Sequence, residues 1–101
     1  MSDRAELTKA RLAALDAVCE ALAHPARRQI LMTIFFCGGE ATAGYVAARF
    51  KHAWPTTTRH LQTLEAAGLL VHERRGRERV YRFVPERLGV LREWLGWLER
   101  K

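Results

Sequence analysis

Apolar positions recur at helical spacing through the first two thirds of the chain. They predict a helix over residues 4–22 and a second helix from Pro25 to about Phe36, because proline suits a first helical turn. The side chains of the second helix expected to face the core are Ile30, Leu31, Ile34 and Phe35. Gly38-Gly39 then ends this helix, since glycine is the commonest residue just beyond a helix C-terminus.

Two shorter helices separated by a turn follow, and this pattern predicts a helix-turn-helix over residues 42–68. Thr42 is a suitable N-cap for the first of them, and Pro55 opens the second. The apolar positions of the first helix are Tyr45, Val46 and Phe50. The inward positions of the second are Thr57, Leu61, Leu64 and Gly68.

The opposite side of this second helix carries threonine, arginine and glutamine, whereas an ordinary solvated face is richer in glutamate and lysine. Such side chains can hydrogen-bond to base edges or phosphates. We therefore expect DNA contacts from Thr56, Thr58, Arg59, His60, Gln62 and Thr63, with Arg59 and Gln62 contacting bases. Thr42 and Lys51 are expected to contact phosphates.

Residues 69–84 are predicted to form a two-stranded hairpin, or wing, joined by Arg75-Gly76-Arg77-Glu78. Four arginines crowd its tip and repel one another, which indicates a role outside folding. Contact with a phosphate backbone or a narrow minor groove would explain them. The arginines concerned are Arg74, Arg75, Arg77 and Arg79.

The distribution of charge supports this interpretation. The 101 residues carry a net charge of +6, and residues 41–84 hold eight lysines and arginines against three acidic residues, which is five of the six net charges. A localised basic surface indicates a polyanionic partner. The length predicts one domain over residues 1–101. No apolar run is long enough to span a bilayer and no signal-peptide pattern opens the chain, so we expect a cytoplasmic protein without membrane contact.

The last helix, predicted over residues 86–100, has four leucines at 3-4-3 spacing with two tryptophans beside them. A small domain has little core left to cover so much apolar surface, so we expect a homodimer formed by the first and last helices. The alternative is that the last helix folds back on its own core. The side chains expected at the dimer interface are Leu7, Leu15, Val18, Leu88, Leu91, Trp94, Leu95, Trp97 and Leu98.

The predicted element order α-α-α-α-β-β-α, mostly α with a small hairpin, resembles the ArsR-type (ArsR/SmtB-like) winged helix-turn-helix regulators. The segments that carry the resemblance are ALAHPARRQIL (21–31), WPTTTRHLQTLEAAGLL (54–70) and ERRGRERVYRF (73–83). The resemblance implies a homodimer that binds a palindromic operator in double-stranded DNA and represses an adjacent operon. It also implies an effector that lowers DNA affinity, whose identity the sequence leaves unknown.

The chain departs from the metal-sensing members of that family. Its third helix begins Thr42-Ala43-Gly44-Tyr45-Val46, without a Cys-x-Cys pair, and its last helix has no histidine. We therefore expect no metal, no cofactor and no response to metals. The four histidines show no close metal-ligand spacing, and an atypical metal site built from them is an alternative. They are His24, His52, His60 and His72.

Cys19 and Cys37 offer a second alternative, in which thiol oxidation switches DNA binding. Both lie near apolar helix faces, so we expect buried packing residues with raised thiol pKa values and little reactivity. An alternative of another class is a winged-helix protein-interaction module without DNA binding, which the arginine-rich tip disfavours. The sequence contains no set of nucleophile, base and orienting residue, so no enzyme is expected.

Overall fold

Helices pack against a small sheet in the computed structural model, which describes residues 2–51 and 53–100 and the side chains of residues 8–51 and 53–100. A 3-10 turn, Pro85–Leu88, precedes the last helix. The elements are α1 (Ser2–Leu22), α2 (Pro25–Phe36), β1 (Glu40–Thr42), α3 (Ala43–Arg49), α4 (Trp54–Ala66), β2 (Leu70–Arg75), β3 (Glu78–Phe83) and α5 (Gly89–Leu98). This confirms the predicted fold of helices with a winged hairpin. None of the described helices is both long and apolar enough to cross a membrane.

The sheet has three antiparallel strands in the order β1-β3-β2, where the sequence predicted two. The additional strand, β1, has only three residues, too few to show an alternating pattern. It pairs Glu40 with Arg82 and Thr42 with Val80, while β2 pairs Leu70 with Phe83 on the other side of β3. The central position of β3 therefore ties the wing to the segment that follows α2.

The core forms where α1, α2, α3 and α4 meet the inner face of the sheet. Its fully buried side chains include Val18, Ile30, Ile34, Val46, Leu61, Leu64, Leu69, Leu70 and Tyr81. Val18 was expected at the dimer interface, and this assignment is wrong: it is 0% exposed within one chain, because it shares a helix face with Ala21 that packs into the core. Phe35 was expected in the core and is instead 54% exposed.

The C-terminus of α4 is fixed by a Schellman motif, in which the amide of Leu69 donates to the carbonyl of Leu64 at 3.0 Å. Gly68 supplies the left-handed conformation that this motif requires, with φ of +83°. The guanidinium of Arg87 donates to the carbonyl of Ala67 at 2.9 Å from the 3-10 turn. The end of α4 is therefore held from two directions.

The last helix starts later than predicted, at Gly89, because the preceding residues form the 3-10 turn. As a result, the expected apolar stripe divides into two parts. Leu88 and Leu91 are half-buried against the core of their own chain, as the fold-back alternative expected. The more distal side chains are exposed: Trp94, Leu95, Trp97 and Leu98. On α1, Leu15 is half-buried, and Leu7 lies outside the described side chains.

Candidate nucleic-acid interface

The α4 helix presents one apolar and one polar face, as the sequence predicted. Thr57, Leu61 and Leu64 are buried on the inner face. Arg59 and Gln62 are exposed on the other, and the half-exposed Thr56 lies near the start of the helix. A long cationic side chain and an amide are thus available to a ligand outside the helix, and both types bind base edges in the major groove.

The three remaining polar residues expected to contact DNA are less free than Arg59 and Gln62. The hydroxyl of Thr63 donates to the carbonyl of Arg59 at 3.0 Å. The ring of His60 lies 4.6 Å from the ring of His24, between centroids, and so faces the start of α2. Thr58 is half-buried beside the wing. The exposed recognition surface is therefore narrower than the sequence suggested.

The preceding helix, α3, is capped as predicted, since the Thr42 hydroxyl accepts a hydrogen bond from the Tyr45 amide at 3.0 Å. Tyr45, one of the apolar positions of the predicted helix, is 40% exposed. The guanidinium of Arg49 lies 4.7 Å from its ring centroid and donates to its hydroxyl, which raises the pKa of Arg49. Sequence analysis missed this exposed pair, although its i, i+4 spacing on a helix is a usable signal. Lys51 is also exposed, in the turn before α4.

The wing ends in a two-residue turn at Gly76-Arg77, with Gly76 at φ of +64°. Glycine at the first position of such a turn matches the type II′ hairpin. Arg74 and Arg79 are directly opposite each other on the two strands. Because side chains alternate between faces along a strand, Arg75 points to the other side of the wing.

Arg75 differs from the other three wing arginines because two carboxylates already bind it. Its guanidinium lies 2.7 Å from Glu40 of β1 and 2.5 Å from Glu73 of β2. The hydrogen bond from Arg75 also holds the pKa of the Glu40 carboxyl below its ordinary value. Arg75 was expected to contact DNA together with its neighbours, but its position argues against that role and assigns it to bracing the sheet.

A cavity of about 380 Å³ joins the wing to the helix-turn-helix. It brings together the start of α3, the first turns of α4 and the arginine-bearing face of the hairpin. Trp54, which sequence analysis did not select, contributes to it and is 56% exposed. The lining residues are Ala43, Gly44, Trp54, Thr58, Leu61, Arg74, Arg77, Glu78, Arg79 and Tyr81. The start of α4, through Trp54 and Thr58, and the basic face of the wing thus border the same cavity.

No model of a known protein family matches the sequence, and comparison with curated proteins finds no match. Solved structures do match. A crystal structure described as a possible transcriptional regulator for arsenical resistance is 32% identical, with a TM-score of 0.70 over 81% of this chain and 83% of that one. An ArsR-family transcriptional regulator is 29% identical, with a TM-score of 0.77 over 88% and 95% of the two chains.

A third solved structure adds information on assembly. It is the solution structure of a homodimeric winged helix-turn-helix DNA-binding domain from Mycobacterium bovis, a possible ArsR-family regulator. It is 28% identical to this chain, with a TM-score of 0.70 over 89% of this chain and 82% of that one. The chain belongs to the ArsR family. As a member of that family it is a winged-helix DNA-binding regulator and not an enzyme.

The two cysteines of this ArsR-family chain do not occupy the environment expected from the sequence. Both Cys19 and Cys37 are exposed, so the expectation that they are buried packing residues is wrong. Cys37 lies immediately after the last turn of α2, and Cys19 lies on the outer side of α1, next to the buried Val18. Burial therefore does not protect either thiol from reaction.

Histidines of this regulator serve structural contacts where the structure describes them. His24 caps α2 by accepting a hydrogen bond from the Ala26 amide at 3.2 Å. His72 of β2 lies 2.6 Å from the Glu65 carboxylate of α4, which links the wing to that helix. His52 lies outside the described residues. Within residues 2–51 and 53–100, no group of three or more histidine, cysteine or acidic side chains is placed to hold a metal ion.

Proposed function

We propose that this chain is a homodimeric repressor that binds a palindromic operator and controls an adjacent operon. The observation that carries the proposal is the cavity at which the first turns of α4, through Trp54 and Thr58, adjoin the basic face of the wing. A helix of this kind fits the major groove, and a basic hairpin beside it reaches the neighbouring backbone or minor groove. The family resemblance supports the same conclusion.

Contacts in the proposed complex divide by residue type. Arg59 and Gln62 contact base edges, because they are the longest exposed polar side chains on the outer face of α4. The wing arginines Arg74, Arg77 and Arg79 neutralise phosphates of the DNA backbone. Thr42 and Lys51 contact phosphates. The remaining DNA contacts of the recognition helix α4 are made by Thr56, Thr58, His60 and Thr63.

The proposed homodimer rests on apolar surface that one chain leaves uncovered. Trp97 and Leu98 of α5 are 56% and 66% exposed, and Leu12 of α1 is 54% exposed nearby. Leu12, Trp94 and Trp97 line the same groove between α1 and α5, a continuity that marks an interaction surface. The homodimeric Mycobacterium bovis domain supports the same assembly here. Two recognition helices about 34 Å apart would then enter successive major grooves of the DNA at a palindromic operator.

Fluorescence anisotropy with the DNA upstream of the neighbouring operon tests the DNA-binding part. Arg59→Ala should cost about 1–3 kcal/mol of operator affinity, which is about 5- to 150-fold, and should reduce the preference over unrelated DNA. Arg92→Ala, which removes an exposed arginine of α5, is the matched control and should leave that preference intact. If both variants lose affinity equally, then α4 does not select the sequence.

Repression is tested separately with a reporter gene placed behind the same promoter. Expression of the wild-type chain should lower reporter output, and Arg59→Ala should restore it. An increase in output with the wild-type chain would identify an activator and contradict the proposed repression, without affecting the DNA-binding assignment.

We also propose that metal ions do not release this regulator from DNA, because the third and last helices lack the ligands of the metal-sensing members. Stoichiometric zinc, cadmium or arsenite should leave operator affinity unchanged in the anisotropy assay. Release that a chelator reverses would show that zinc or cadmium binds, and it would contradict this proposal.

Exposure of both thiols favours a second candidate function, in which oxidation changes DNA affinity. An exposed thiol is accessible to peroxide or a persulfide donor, and a buried one is not. In this candidate, oxidant lowers operator affinity by about tenfold, and Cys19→Ser or Cys37→Ser abolishes the loss. Equal affinity before and after oxidation would eliminate this candidate.

A further inference from the structure

The cavity between α4 and the wing has the dimensions and lining of a small-molecule site. Its volume of about 380 Å³ lies within the range of sites that hold drug-sized ligands. Trp54, which is 56% exposed, provides an apolar wall, and Arg74, Arg77 and Arg79 provide a basic one beside Glu78. A ligand with an apolar body and a negatively charged group would complement both walls.

Tyr81, one of the residues that line this cavity, carries an unusual polar group. Its side chain is 1% exposed, and its hydroxyl has no hydrogen-bond partner among the residues that the structure describes. A buried polar group without a partner costs stability, and such groups are rare in folded proteins. The hydroxyl is closed off from solvent in this structure, so a ligand can accept its hydrogen bond only if the side chains that cover it shift. A small molecule in the cavity allows such a shift, whereas a DNA duplex is too wide to enter.

Charge points to the same conclusion. Arg74 and Arg79 lie directly opposite each other in the hairpin, and like charges in that position destabilise a strand pair. Within the described part of the chain neither is bound to a carboxylate, in contrast to Arg75, which Glu40 and Glu73 neutralise on the other face. An anion between Arg74 and Arg79 would remove this repulsion, and a carboxylate suits the planar guanidinium fork.

We propose that this cavity binds a small aromatic carboxylate, with its ring against Trp54 and its carboxylate among the wing arginines and the Tyr81 hydroxyl, and that the bound ligand excludes DNA. The second half of this inference rests on the proposed function, because DNA would use the same arginines. A ligand there would neutralise the wing and occupy the space beside the first turns of α4.

Binding is tested without DNA, by calorimetric titration of the full chain with 2-naphthoate and, as a neutral comparison, 2-naphthylmethanol. We expect saturable micromolar binding of the carboxylate and binding of the alcohol about tenfold weaker or less. Tyr81→Phe keeps the ring and removes only the unpartnered hydroxyl, so it should fold normally and weaken 2-naphthoate binding by about fivefold. Arg79→Gln should weaken it further.

Arg75→Gln is the matched control, since it removes an arginine from the other face of the same hairpin. It should leave 2-naphthoate binding unchanged. Absence of saturable binding up to about 1 mM would overturn the inference. Equal losses in Arg75→Gln and Arg79→Gln, with no effect of Tyr81→Phe, would also overturn it, because they would indicate unspecific attraction to a basic hairpin.

Competition with DNA is measured separately, by adding 2-naphthoate to a preformed operator complex. We expect release of DNA from the wild-type chain at concentrations that saturate the cavity, and release from Tyr81→Phe only at correspondingly higher ones. If 2-naphthoate binds in calorimetry but the chain never binds operator, the proposed function fails and the cavity stands. If DNA binds and the carboxylate does not, the cavity inference alone fails.

Discussion

Among single residues, Thr57 makes a sharp test of the α4 inner face. It is 1% exposed, and its hydroxyl has no hydrogen-bond partner within the described residues. Valine has the same shape without the hydroxyl, so Thr57→Val should leave the free energy of unfolding unchanged or raise it by about 1 kcal/mol. Thr57→Ala, which also removes a packed methyl group, should lower it by about 1 kcal/mol. Thermal and urea unfolding measure both, and a large loss in the valine variant would mean that the hydroxyl is bonded.

At the scale of elements, the junction between α4 and β2 depends on one glycine. Gly68 has φ of +83°, and an added Cβ would lie 2.7 Å from Nε of Arg87, whose guanidinium also holds the end of α4. Gly68→Ala should therefore lower the free energy of unfolding by at least about 1–2 kcal/mol, the cost of left-handed backbone at a non-glycine residue. Gly96→Ala, in α5, is a suitable control because a Cβ there meets open space. Equal stability of the two variants would mean that the turn can rearrange.

A second prediction at this scale concerns how the wing arginines affect the salt dependence of DNA binding, because these arginines differ in their partners. Arg77 lines the cavity beside α4, while Arg75 is bound by two carboxylates. Arg77→Ala should reduce the slope of log affinity against log salt by about one unit, the value for one lost phosphate contact. Arg75→Ala should reduce it by much less. Operator anisotropy between low and moderate salt measures both slopes, and a larger effect of Arg75 would contradict the assignment of faces.

For the whole molecule, assembly should depend on the exposed end of α5. Trp97→Glu places a charge on a side chain that is 56% exposed in one chain, so the monomer should remain folded. In sedimentation equilibrium at micromolar concentration the wild type should have the mass of a dimer, and this variant should have the mass of a monomer. Met32→Glu, at a position 52% exposed on α2, is the control. A monomeric wild type would contradict the proposed interface.

Sequence periodicity was sufficient to predict that the helices exist and which face of α4 is buried, although not where α5 begins, because burial imposes the helical repeat on residues such as Leu61 and Leu64. Periodicity was insufficient to predict burial and side-chain pairing where these depend on tertiary contacts. Val18 and Phe35 are equally apolar in sequence, yet one is in the core and the other is exposed. The pairing of Arg75 with Glu40 joins residues 35 positions apart through β1, a strand too short to predict, so no local pattern could have separated Arg75 from its neighbours.

The central position of β3 restricts how the hairpin can change in length. The Val80–Arg82 segment of β3 is paired with a strand on each side, so an insertion there would disrupt the pairing with both β1 and β2. The Gly76-Arg77 turn, in contrast, adjoins only the last residue pair between β2 and β3, so an insertion there disrupts no other strand. Lengthening at that end by one residue in each strand would extend the reach by about 3.3 Å but would turn the new side chains to the opposite face. Two residues in each strand would extend it by about 7 Å and keep the faces. The distance from which this hairpin engages a duplex is therefore adjustable in paired steps, independently of the helical body that carries it.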